Sequence, residues 1–251
     1  MKIGYISDIH VDMGMLITDL YNLFDQNVDV LIIAGDIGRP IQTVSFIDML
    51  LDTFNTTIIF VPGNHDYYNY TNMTVEDVNA FYKQEFIDDN VHVLVNGEKI
   101  NIYGVNFVGA TLWSDLADRY NPTISVQSQI MANTAISDFE LISGMNVFEM
   151  RKQYEIDRNG IINSLSSIDM ENTIIITHFS PSIDYRNEDY TIDPLAYYFC
   201  GYMDDVIECM QPRHWIYGHT HGRNDDITVG GTTIHCNQLY GNEIKMKIIE
   251  M

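Results

Sequence analysis

At 251 residues and 46% hydrophobic, the chain is long enough to bury a sizeable core and reads as one domain over 1–251. Its formal charge of −22, from 35 acidic residues against 13 Lys and Arg, argues against a surface built to follow polynucleotide phosphates. No apolar stretch reaches the roughly 18 to 20 residues of a membrane span, and a strand pattern starting at Lys2 argues against a cleaved leader, which would remove Asp8 and His10.

The first 110 residues alternate strand-like and helix-like patterns. KIGYIS opens with a strand, and Met15 to Phe24 carries apolar residues at helical spacing. DVLIIA predicts a strand at 29–34; Ile41, Val44, Ile47, Leu50 and Leu51 then predict one face of a helix over 41–53. TIIFVP predicts a strand at 57–61, and Thr74 with Asp77 three positions on opens a helix near 75–88. VHVLV, a turn at Asn96-Gly97 and KINIYG read as a hairpin, followed by a strand at 106–110.

Residues 111–147 break this rhythm with Trp113, Asp115, Arg119, Tyr120, Pro122 and a Gln/Ser/Asn-rich run, the pattern of an insert or lid. A helix near 148–166, a strand at 173–177, an irregular Tyr- and Asp-rich loop at 182–194 and a helix near 195–210 follow. HWIY is a weaker strand, and TVGGTTIHCNQ and EIKMKIIEM alternate as strands. A βαβ first half and a hairpin-rich second half predict an α/β fold of two mixed sheets packed face to face with helices outside. Cys200, Cys209 and Cys236 lack CxxC spacing and fit small buried hydrophobes in a reducing, cytoplasmic setting.

Five short segments carry the chemistry: DIH at Asp8 to His10, GD at Gly35-Asp36, GNHD at Gly63 to Asp66, TH at Thr177-His178 and GHTH at Gly218 to His221. Each follows a strand-like run, and side chains at the ends of parallel strands converge on one edge of a sheet. A lone Asp or His is most often structural; five of the eight histidines in such motifs point to a two-metal site. An oxygen and nitrogen donor set without thiolate suits Mn²⁺ first, with Fe, Zn²⁺ and Co²⁺ also accommodated. Two such ions would add about +4 locally, so a small anion binds where a long polyanion is repelled.

These motifs, in this order and over essentially the whole chain, resemble the calcineurin-like metallophosphoesterase superfamily. The segment Gly109 to Asp115 (GATLWSD) and the late GHTH are similar to those of a bacterial and phage subgroup. The resemblance implies the metallophosphoesterase fold and a ligand set of Asp8, His10, Asp36 and His221 for one metal, and Asp36, Asn64, His178 and His219 for the second, with Asp36 bridging. It also implies hydrolysis of a phosphoester by a metal-bridging hydroxide, with His65 protonating or stabilising the departing alkoxide. Asp66 either bonds within its loop or orients an imidazole.

Two departures bear on substrate. The GDxxD pattern is broken, with Arg39 in place of the second aspartate, which in phosphoprotein phosphatases orients the catalytic histidine; His65 must find another partner or act alone. Phe179 follows His178 where the subgroup often has a second histidine. Arg39 either reaches a substrate phosphate or ends a surface loop, while Tyr67, Tyr68, Tyr70 and Trp113 either stack on a substrate base or pack in the core. Asp115, Asn133 and Asp138 are weaker candidates, and His92, His214 and His235 read as structural. The expectation is a phosphohydrolase for small phosphoesters, more for phosphodiesters or nucleotide-like compounds than for monoesters, with no membrane partner. A nuclease with the same centre would need a basic groove, and a non-catalytic scaffold would be expected to have lost ligands.

Overall fold

The runs richest in β-branched residues form the centre of the molecule. In the computed structural model, residues 1–13, 24, 27–87, 90–185, 193–221, 225–239 and 245–251 are described. Strands β1 (Lys2–Ile6), β2 (Val30–Ile33), β3 (Thr57–Phe60) and β4 (Val91–Val93) run parallel, and β11 (Lys247–Glu250) closes that sheet antiparallel to β1. The second sheet is ordered β5-β6-β7-β8-β10-β9, from β5 (Glu98–Ile102), β6 (Val105–Ala110), β7 (Thr173–Thr177), β8 (His214–Tyr217), β9 (Ile227–Val229) and β10 (Thr232–Cys236). Its middle four strands are parallel, and both edge strands are antiparallel.

Alternation along each strand divides the core into layers. Ile3, Tyr5, Val30, Ile32, Ile59 and Val61 meet Phe107, Ile174, Ile176 and Ile216 in one buried cluster between the sheets. The residues between them, Leu31, Ile33, Ile58 and Phe60 on one side and Val108, Ile175 and Trp215 on the other, join the cluster that the helices cover. Burial on both faces is why these strands read as nearly continuous apolar runs.

Helix α1 (Pro40–Thr53) starts with proline at its first turn and buries Pro40, Thr43, Phe46, Ile47 and Leu50. The buried face is therefore rotated from the predicted one, and Ile41 is exposed. The Thr43 hydroxyl, held at 2.9 Å from the Gly38 carbonyl, turns the opening of the helix inward. Helix α2 (Val75–Glu85) has the predicted box, with Thr74 and Asp77 each bonding the other's backbone N–H. Helix α3 (Pro122–Ala135), the short α4 (Asp138–Leu141), α5 (Val147–Leu165) and α6 (Asp204–Met210) complete the α-helices among the described residues.

Two expectations change. The turn at Asn96-Gly97 forms, with Glu98 N–H bonded to Val95 O at 2.9 Å, yet β4 and β5 lie in different sheets. The turn carries the chain from one sheet to the other, and the true hairpin is β5–β6. The predicted helix near 195–210 divides into a 3₁₀ segment, Pro194–Phe199, and α6. Between them, Gly201 and Met203 bond instead to the carbonyls of Ser180 and Pro181. The helix predicted over 15–24 falls outside the described residues except for Phe24, which packs against Phe46 and Phe54. Among the described residues, no helix is long and apolar enough to cross a membrane.

Candidate metal centre and active site

The five motifs lie just past the C-terminal ends of β1, β2, β3, β7 and β8, so both sheets deliver side chains to one edge. The backbone turns sharply there. Asp8, His10, Asp36, His219 and His221 have φ of 57°, 49°, 56°, 70° and 44°, the left-handed region that costs a non-glycine residue on the order of 1 kcal/mol. The surroundings hold these turns: Asp8 and His10 N–H groups bond the carbonyls of Gly35 and Asp36, both at 3.0 Å. Two motif glycines are required by close approach. A Cβ on Gly63 would overlap Asp36 Oδ1, and one on Gly35 would overlap the His178 ring.

Two groups of candidate ligands share one residue. Donor atoms of Asp8, His10, Asp36 and His221 all lie within 4.8 Å of one another, as do those of Asp36, His178 and His219. His10 Nε2 is 3.2 Å from His221 Nε2, and His178 Nε2 is 3.2 Å from His219 Nδ1. Asn64 Oδ1 joins the second group at 3.1 Å from His178 Nε2.

The protonation pattern tests whether cations fit here. His178 Nδ1 donates to the Ala34 carbonyl at 2.9 Å, so in the neutral ring Nε2 presents a lone pair to the cluster. The Asn64 amide nitrogen donates to Asp138 Oδ1 at 2.9 Å, which turns its oxygen toward the same point. Two acceptors 3.1 Å apart, beside the Asp36 carboxylate at 3.3 Å, repel one another unless a cation or proton lies between them. The donor set therefore fits divalent cations.

Without cations, protons take their place. Burial pushes the His178 imidazole down, but Asp36 and Asp8 outweigh it and raise it to about 9. His10 also rises to about 9 against its burial, through Asp12, Asp36 and Asp8. Burial raises the Asp36 carboxyl, yet the imidazoles of His178, His65 and His10 hold it well below the usual carboxylate range.

His65 lies outside the two groups that share Asp36 and forms a third with His10 and Asp12. Its backbone N–H donates to Asp36 Oδ1 at 2.9 Å. Its ring is 4.5 Å from that of His10 and 4.4 Å from that of Tyr68. Asp66 is occupied within its own loop, accepting from the N–H groups of Asp36, Ile37, Gly38 and Gly63, with the Thr43 hydroxyl at 2.8 Å. Burial and the Asp36 charge push this carboxyl up to about 6 while those donors pull it down. Of the two expectations for Asp66, the loop bond is the one realised.

A cavity of about 540 Å³ opens onto the metal groups. Its lining combines Asp36, Asn64, His65, His219 and His221 with Ile136, Leu195, Ala196, Tyr198 and Phe199. Two expected substrate contacts are corrected. Tyr67 and Trp113 are each 1% exposed, with their rings packed together at 5.3 Å. The Tyr67 hydroxyl donates to Asn79 Oδ1 at 2.8 Å and also meets Thr111. Apolar ring area beneath the motif loop gains more from the core than from solvent. Arg39 does not line the cavity: its guanidinium covers the Tyr70 ring at 4.4 Å. Phe179 stacks on His219 at 4.0 Å, so the departure in the fourth motif supplies an aromatic support for a candidate ligand.

Four contributors were missed in the sequence or given little weight. Asp12 lies 3.3 Å from His65 Nδ1, and its only sequence signal was a carboxylate two positions after DIH. Asp138, fully buried, accepts from Asn64, Tyr68 and Tyr198, tying the 111–147 segment to the centre. Tyr198 and Phe199 reach the cavity from a 3₁₀ segment that the helical reading did not separate.

Known proteins share this framework. Protein L509 of Acanthamoeba polyphaga mimivirus is 29% identical, with 95% of this chain and 91% of that protein covered. The phosphopantetheinyl hydrolase of Mycobacterium tuberculosis superposes with a TM-score of 0.72 at 18% identity, covering 95% of this chain and 89% of that one. A Thermus thermophilus protein, TT1561, gives 0.55 at 10% identity over 94% and 88% of the two chains. The sequence profile described as calcineurin-like phosphoesterase matches residues 1–223, which contain all five motifs. The edge where the two sheets meet thus has both the fold and the profile of one family, and the chain belongs to the calcineurin-like phosphoesterases, as a metal-dependent phosphoesterase.

Proposed function

We propose that the protein is a two-metal phosphohydrolase for small phosphoesters, with phosphodiesters or nucleotide-like compounds as the preferred class. The observation that carries this reading is Asp36, shared by two groups of candidate ligands, with His65 beside them at the same cavity. When bound, divalent ions (Mn²⁺ first) supply Lewis acidity, acidifying water and neutralising phosphate oxygens. Asp8, His10, Asp36 and His221 would hold one ion, and Asp36, Asn64, His178 and His219 the other.

The chain's own residues supply the rest. His65 is raised above its ordinary range: burial lowers it, but Asp36 and Asp12 more than offset that, favouring a ring that holds a proton near neutrality. Water adds oxygen to phosphorus as the P–O bond to the leaving group breaks. The electron pair stays on the leaving oxygen, which takes the His65 proton, and a proton from water restores the ring. The cavity is larger than a phosphate, and the apolar side chains of Ile136, Leu195, Ala196 and Phe199 in its lining suit an uncharged organic group. Among the described residues no Lys or Arg lines it, which favours a small ester over a polynucleotide.

The test is hydrolysis of p-nitrophenyl phosphate and bis-p-nitrophenyl phosphate by purified protein with Mn²⁺. Turnover of at least one is expected, faster on the diester. His65→Ala should lose on the order of 10²-fold in kcat with its metal content intact. Silence on both esters by metal-loaded protein would overturn the reading.

A further inference from the structure

We propose that Asp12 is the positioning residue for His65, holding the ring's Nδ1 so that Nε2 serves the leaving group; this rests on the reading of His65 as the acid. The geometry is direct. Asp12 Oδ2 is 3.3 Å from His65 Nδ1, and the Asp12 side chain is 9% exposed. Among the described residues it is the carboxylate paired with this ring. The other acidic groups nearby are engaged: Asp66 with its loop, and Asp36 Oδ1 with the His65 backbone N–H. Arg39, at the position of the second GDxxD aspartate, covers Tyr70 instead.

The local fold delivers Asp12 to this place. Val11–Met13 forms a single 3₁₀ turn directly after the first motif, pinned by Val11 N–H to Ile37 O at 2.8 Å and Met13 N–H to His10 O at 2.9 Å. The turn places one carboxylate near two imidazoles but bonds it to only one: Asp12 Oδ2 meets His65 Nδ1 at 3.3 Å, while Oδ1 stays 3.8 Å from His10 Nδ1. The rings of Tyr68 and His10 pack against the His65 ring, which lines the cavity; with Asp12 on Nδ1, Nε2 is the nitrogen left for the substrate. A carboxylate accepting from Nδ1–H leaves Nε2 to give the proton, and the charge of Asp12 stabilises the ring that carries it.

The experiment compares leaving groups in the metal-loaded enzyme. Diphenyl phosphate needs a proton on its departing oxygen more than bis-p-nitrophenyl phosphate does. Asp12→Asn should therefore lower kcat by about 10²-fold on the phenyl ester and by less than about 10-fold on the nitrophenyl ester. In a His65→Asn background it should cost nothing further, and Asp12→Glu should recover part of the loss. Equal losses on both esters, additive losses with His65→Asn, or fewer bound Mn²⁺ ions in Asp12→Asn would overturn the proposal, the last because Asp12 would then be a metal ligand.

A second readout does not need turnover. Long-range ¹H–¹⁵N spectra of Zn²⁺-loaded protein should show a proton on His65 Nδ1 that is lost in Asp12→Asn. A bare Nδ1 in the wild type overturns the proposal. Wild-type inactivity on both esters would instead sink the phosphoesterase reading and leave this spectroscopic arm to decide the Asp12–His65 pair.

Discussion

Asp66 illustrates how much of the centre is organised by residues that bind no metal. Its carboxylate gathers N–H groups from both the GD loop and the GNHD loop, so it clamps Asp36 beside Asn64. Asp66→Ala would leave those buried donors unsatisfied and should cost roughly 3 kcal/mol or more of folding stability, read as a lowered midpoint in urea. A change of less than about 0.5 kcal/mol would mean that water replaces the carboxylate. Gly63 acts by steric absence: Gly63→Ala places a methyl against Asp36 Oδ1 and should weaken Mn²⁺ binding measured by calorimetry. Unaltered affinity would show that the loop gives way.

Among the elements, the 111–147 segment departs most from what a stretch without periodicity suggests. It contains α3 and α4, and Asp138 at the start of α4 holds the Asn64 amide, while Ala135 to Asp138 line the cavity. Asp138→Ala should weaken Mn²⁺ binding by about 10- to 100-fold, the usual effect of removing a group that orients a ligand. Calorimetric affinity equal to wild type would show that Asn64 keeps its orientation without Asp138. Tyr67, at the end of the 3₁₀ turn His65–Tyr67, packs with Trp113 in the core, so Tyr67→Phe should cost about 1 kcal/mol of stability with KM unchanged. A raised KM there would return Tyr67 to the substrate.

For the whole molecule, two sheets that each carry part of the candidate ligand set would make metal binding and folding one equilibrium. The sign follows from His10 and His178, raised from an ordinary value of 6.5 to about 9 when no metal is present. A raised imidazole stabilises the fold fully below about pH 6.5, and that contribution is lost as pH rises through about 9. Metal-free protein should therefore show a falling Tm between pH 6.5 and 9. Mn²⁺ should flatten or reverse the fall, because it takes the place of protons that are leaving. A metal-free Tm that rises across this window would contradict the charge arrangement.

Local pattern determined most of the strands, the Thr74–Asp77 cap and the positions of the five motifs, because alternation and strand-end placement are properties of neighbouring residues. It also determined the class of chemistry, since seven oxygen and nitrogen donors at strand ends have few other uses. Tertiary structure decided what depends on distant segments meeting. The Asn96-Gly97 turn formed as local chemistry required, but which sheet received each flanking strand was settled by core packing. Tyr67 and Trp113 went to the core because apolar area beneath the motif loops had to be buried. The Asp12–His65 and Asp138–Asn64 pairs span 53 and 74 positions, and no periodicity or composition links residues that only folding brings together.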